Sequence, residues 1–115
     1  MTLRRQRLTD QIRDLIASQF QAGRYNDPRL ANVTITAAKL SGDLQLASIY
    51  YRVYDQSIKE QSHAALERIQ GGLRKFLADN LEIRRVPGLR FFYDESIETG
   101  SRVENILEKI KKNEP

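Results

Sequence analysis

Four cations, Arg74, Lys75, Arg84 and Arg85, stand close together in the second half of the chain. Such a group can contact phosphates, because guanidinium and ammonium groups hydrogen-bond phosphate oxygens and displace condensed counterions. The competing reading is an ordinary solvated helix face, partly neutralised by Asp79 and Glu82. A second basic group, Arg4, Arg5 and Arg7, reads equally as an arm that docks on RNA and as a soluble helix start. Gly71 and Gly72 lie just before Arg74, where a kink between helices would bring bare backbone up to a phosphate. Lys and Arg number 19 against 15 Asp and Glu, a formal net charge of +4. That excess suits a polyanionic partner without requiring one.

The remaining reactive side chains are explained more simply. Tyr50 and Tyr54 share a strand face with Arg52 and could stack on bases, but tyrosine is also a good strand former. Tyr51 shares its face with Ile49 and belongs to the core. Arg29 reads as support for its loop, and His63 as a surface histidine. Asp94, Glu95 and Glu98 lead into a helix, where carboxylates favour the positive end of the dipole. The absence of cysteine excludes disulfides and thiolate metal sites, and one histidine cannot make a histidine cluster. There is no phosphate-binding glycine loop, nucleophile elbow or HExxH. The expectation is a protein that is not an enzyme and needs no cofactor.

These residues must be held by folded elements, and the chain is built for that. Its 115 residues fit one domain, and 40% are hydrophobic, enough for a single core. Met1 to Thr9 are basic, but no apolar stretch follows, so they do not read as a signal peptide. No run approaches the roughly 18 apolar residues that cross a bilayer. The expected location is the cytoplasm, with no membrane contact and a monomeric state.

Leu8, Ile12, Leu15, Ile16 and Phe20 recur at helical spacing and predict a helix over 3–20. Gly23 and Asn26-Asp27-Pro28 end it. Val33 to Ala37 alternates and predicts a strand, Ser41-Gly42-Asp43 a turn, and Leu46 to Tyr54 a second strand with Ala47, Ile49, Tyr51 and Val53 on one face. Ser57-Ile58-Lys59-Glu60 matches a capping box. The helix it opens carries Leu66, Ile69, Leu73, Phe76 or Leu77, and Leu81, and should kink at Gly71-Gly72, with one glycine at positive φ. Leu89 to Tyr93 predicts a third strand. Ser101-Arg102-Val103-Glu104 is a second capping box, opening a final helix through Ile110, and 111–115 is left as a tail.

The predicted order is helix, strand, strand, kinked helix, strand, helix: an α+β fold whose helices pack on one face of a three-stranded sheet. A helix–kink–helix between the second and third strands is the arrangement of a KH domain. KH domains clamp a nucleic-acid backbone with a GXXG loop between two helices. This chain has no GXXG, and Gly71-Gly72 occupies its place.

A series of short motifs is now in order along the chain: Asp27-Pro28-Arg29, Val33-Thr34-Ile35-Thr36, and Leu40-Ser41-Gly42-Asp43-Leu44, followed by Ala47 and Tyr50. Leu73-Arg74, Arg84, Val86-Pro87, Leu89, Phe91, Asp94, Ser96, Gly100 and Arg102 complete it. In this order and spacing the chain resembles the ribosome-binding factor A family over nearly its whole length. The resemblance implies a type II KH-like fold and binding to small-subunit ribosomal RNA. It further implies an accessory role in late small-subunit maturation and an involvement in cold adaptation. Family members carry Ala-x-Gly at the interhelical kink; Ile69-Gln70-Gly71 stands there in this chain, followed by Gly72. The alternatives kept beside this reading are a general single-stranded RNA-binding module and a basic protein–protein adaptor.

Overall fold

The computed structural model describes residues 3–21 and 25–95. The predicted final helix, Glu98 and the tail lie outside them. The elements are α1 (Leu3–Gln21), α2 (Pro28–Ala31), β1 (Val33–Leu40), β2 (Leu46–Val53), a 3-10 turn (Gln56–Ile58), α3 (Lys59–Arg68), α4 (Gln70–Asn80) and β3 (Gly88–Tyr93). The sheet order is β1-β2-β3. β1 and β2 pair antiparallel as a hairpin. β3 returns through α3 and α4 to pair parallel with β2, Leu46 opposite Gly88 and Tyr51 opposite Tyr93. A parallel return needs a crossover of this kind, and the helices it carries supply the layer on the sheet. The fold is α+β and KH-like, as expected.

Period-two alternation buries Ala47, Ile49, Tyr51 and Val53 of β2, together with Leu89 and Phe91 of β3. Ile12 and Ile16 of α1, Leu66 of α3, and Leu73 and Leu77 of α4 meet them, all 0–1% exposed. Truncating such a leucine to alanine costs about 2–5 kcal/mol. Leu77, not Phe76, continues the apolar stripe.

β1 is longer than the sequence suggests. Its register slips between Ile35 and Ala37, leaving Thr36 without a partner across the ladder. One extra residue reverses the phase of a strand. Val33 and Ile35 face the core before the bulge, and Ala38 and Leu40 pack against it afterwards.

Two local expectations are corrected. The helical run does not kink at Gly71-Gly72. It breaks at Ile69, whose φ of −89° and ψ of 3° leave the helical region. Gly71 and Gly72 sit inside the first turn of α4, neither has a left-handed φ, and a Cβ added to either meets nothing within 4 Å. Their poor propensity weakens the run here, and the β-branched Ile69, two residues before Gly71, takes the break. The capping box at Ser57 also does not form. Asp55 instead caps the 3-10 turn, accepting from the Ser57 N–H at 2.9 Å, and α3 starts later without a capping side chain.

Candidate nucleic-acid interface

The sheet has two ends, and they are built differently. One holds the start of β1 and the ends of β2 and β3. Here Asp27 caps α2, and Pro28 fills the first helical position, where its missing N–H costs nothing. Arg29 grips the Asp27 carboxylate with two nitrogens, Nε at 2.9 Å and Nη2 at 2.6 Å, and holds its pKa down at about 2. Asn32, 7% exposed, accepts from the Asp55 N–H at 2.7 Å. Its amide donates to the Asp55 carbonyl at 3.0 Å and to the buried Ser62 hydroxyl at 3.1 Å. Asp94, also 7% exposed, accepts from the hydroxyl of the bulged Thr36, and its carbonyl accepts from Arg52 at 2.9 Å. Asp94 thus clasps β1 to the end of β3; the helix it is expected to lead into lies outside the described residues.

Tyr51 is 1% exposed, and burial pushes its phenol up to about 12. Its hydroxyl lies 2.8 Å from His63 Nδ1, while His63 Nε2 lies 3.3 Å from Glu67. A proton on Nε2 satisfies both contacts, with the tyrosine donating and the carboxylate accepting. His63 is on the surface, as expected, and its ring is engaged structurally.

The other end holds the β1–β2 turn, the start of β3, the first turns of α1 and the segment 81–87. Arg5 donates to the Leu40 carbonyl at 2.7 Å, which docks α1 on the end of β1. The Gly88 N–H donates to the Gln45 carbonyl at 2.8 Å, which ties β3 to the turn. Arg74 reaches across from α4 to the carbonyls of Pro87 at 3.2 Å and Val86 at 3.1 Å. It therefore fixes the segment that carries Arg84 and Arg85. Those two arginines and Lys75 are exposed, and they make no side-chain hydrogen bond or ion pair with another described residue.

A cleft of about 850 Å³ opens at this end, with Arg4, Arg5 and Arg7 on one side and Glu82 and Ile83 on the other. The N-terminal arginines belong to helix and not to a loose arm, and the cleft sets them beside the segment leading to Arg84 and Arg85. The structure thus gathers Arg4, Arg5, Arg7, Arg84 and Arg85 at one end, with the Arg74 side chain reaching in as a sixth. Gly71 and Gly72 lie in the first turn of α4, between Gln70 on the Leu89 carbonyl and Arg74 on the Pro87 carbonyl, and do not line the cleft. Nine residues of helix from Gly72 to Leu81 span about 14 Å at 1.5 Å per residue. Lys75 lies between.

Sequence reasoning passed over two exposed apolar residues. Leu44 lines the cleft, and Phe92 on the open sheet face sets its ring 5.8 Å from that of Tyr50. Lys39 lies 5.7 Å from the Tyr50 ring centre. Tyr54 is exposed beyond the strand, without a ring partner among the described residues. Among the described residues no group of three His, Asp or Glu side chains gathers as a metal site. No described helix is long and apolar enough to cross a membrane.

The sequence and the fold both have relatives among known proteins. A family model for ribosome-binding factor A matches residues 4–107. The Pelobacter propionicus ribosome-binding factor A is 40% identical over 111 residues, covering 96% of this chain and 90% of the relative. The Leuconostoc citreum protein of the same name is 39% identical over 89 residues, covering 76% of each. The crystal structure of ribosome-binding factor A from Thermus thermophilus superposes with a TM-score of 0.70 at 31% identity, over 77% of this chain and 93% of that one. A homology model of the Thermus thermophilus ribosome-binding factor A, fitted into a cryo-EM map of its complex with 30S, gives 0.65 at 31% identity, with the same coverage. The chain belongs to the ribosome-binding factor A family.

Proposed function

We propose that this chain binds the small ribosomal subunit through its RNA and assists late maturation of that subunit. In this reading it acts in the cytoplasm as a monomer, without a cofactor or a reaction of its own, and serves growth in the cold. The observation that carries the reading is family membership, joined to a relative's homology model fitted into a map of its 30S complex. The arginine end supports it physically: exposed guanidiniums on a fixed segment suit phosphate contacts made by shape and charge. Arg84 and Arg85, with Arg4, Arg5 and Arg7, are the proposed principal contacts, Lys75 a flanking one, and Arg74 their support. The first turn of α4, with Gly71 and Gly72 bare of side chains, offers backbone to a second stretch of RNA.

An assembly factor should occupy free small subunits in preference to joined ribosomes. Sedimentation of lysate through a sucrose gradient checks this: the chain should peak with the small subunit. Equal occupancy of both peaks would sink the maturation role. A protein–protein adaptor would stay in place after complete RNA digestion, whereas this chain should be released.

A further inference from the structure

Leu44 stands in the wrong place for a residue chosen only for folding. Among the described residues it is the only non-glycine with positive φ, at 61°. Its N–H donates to the Ser41 carbonyl at 3.0 Å, while Asp43 accepts from the Gln45 N–H and the Ser41 hydroxyl from the Leu46 N–H. The turn is therefore fixed, and the left-handed position costs a leucine about 1–2 kcal/mol that glycine would avoid. The side chain does not recover this in the core: it is 42% exposed. It lines the cleft, with Leu81 and Ile83 as further apolar lining.

Two of the cations here also stand at the unfavourable end of a helix dipole. α1 has no acidic residue in its first turn, and Arg4 and Arg5 stand there at the positive end of the helix dipole. Glu82 and the C-terminal end of α4 offset part of that potential. The cleft still combines apolar lining with three guanidiniums, in a volume within the range of ligand pockets.

We propose that this cleft holds one unstacked nucleotide of single-stranded RNA, its base against Leu44 and Ile83 and its phosphate on Arg4 and Arg7. The proposal rests on the RNA-binding reading above and deepens it. A base needs apolar or guanidinium surface, and a phosphate needs the two-pronged donors that arginine supplies. An acidic peptide would also meet the arginines. RNA fits better because Arg84 and Arg85, just beyond Ile83, continue the positive track for neighbouring phosphates.

The probe is a short oligouridylate carrying one 2-aminopurine, whose emission reports whether that base leaves water. Titration of the full chain should give a saturable change in emission. Leu44→Gly should hold or raise the urea midpoint while weakening the probe about tenfold, or 1.4 kcal/mol. Leu44→Asn, which also tolerates the left-handed region, should do the same. Binding without a change in emission would overturn the pocket, as would Leu44→Gly binding the probe like the parent chain. Displacement by polyglutamate as effective as by unlabelled oligouridylate would assign the cleft to an acidic protein segment. Co-sedimentation with small subunits separates the two levels. If it persists while the probe fails, only the pocket is wrong; if both fail, the RNA-binding reading falls with it.

Discussion

At one end of the sheet, polar side chains are spent on each other; at the other, they reach outward. Arg29 and Arg84 are the same residue type, yet Arg29 is locked on Asp27 while Arg84 has no side-chain partner among the described residues. The Asn32, Asp55 and Ser62 contacts are buried or partly buried, where an unpaired group is costly. The arginine end instead keeps its backbone tightly bonded and leaves Arg84 and Arg85 in water. The Asp27-Pro28-Arg29 motif thus marks architecture, whereas Arg84, also part of the family-like pattern, is a candidate contact. Locked polar pairs and unpaired candidate cations thus stand at opposite ends of one sheet.

The largest expected effect tests the locked end. Asn32→Ala removes three hydrogen bonds and leaves Ser62 and the Asp55 backbone short of partners, so it should cost about 3 kcal/mol of stability. Urea unfolding measures it. The folded fraction should still bind small subunits, and a specific binding defect there would erase the contrast between the ends. The second test reverses the roles. Changing Lys75, Arg84 and Arg85 to Gln should move stability by no more than about 0.5 kcal/mol. It should flatten the log–log salt dependence of single-stranded RNA binding by about 0.7 per lost phosphate contact. Arg74 is kept, because it holds the segment in place. An unchanged slope would move the RNA site away from these cations.

The smallest effect sharpens the position of α4. Gly71→Ala and Gly72→Ala, made singly, should each stabilise by up to about 1 kcal/mol, since neither glycine is left-handed and both sites are open. A destabilised variant would return the kink to the glycines. Stabilised variants with weakened subunit binding would make the bare first turn of α4 a second contact.

Much of the fold was legible because periodicity is a local signal. The alternation in β2 and the stripe from Leu66 to Leu77 appear in the sequence and in the core alike. What was hidden depended on distant partners or on backbone angles. The Thr36 bulge breaks alternation, so the second half of β1 reads as loop until β2 pairs with it. Asp94 looks like a surface acid because its partner Thr36 is 58 residues away. The break at Ile69 defeated a rule that assigns kinks to glycine. The cations were visible one by one, but the cleft joins α1, the β1–β2 turn and the 81–83 segment, and no linear pattern reports that meeting. Leu44 gave no sign of its left-handed backbone, since glycine and not leucine is the residue type that marks one.

The reach of α4 over β3 has one more consequence. The outer edge of a sheet invites another strand to add to it, and long bare edges seed aggregation. Along this edge the Pro87 carbonyl is held by Arg74 and the Leu89 carbonyl by Gln70. An incoming strand would have to displace both side chains before its own ladder could start. Two polar residues of a helix thereby blunt the edge against sheet extension, during synthesis and at high concentration alike, without a proline or a buried charge in the strand itself.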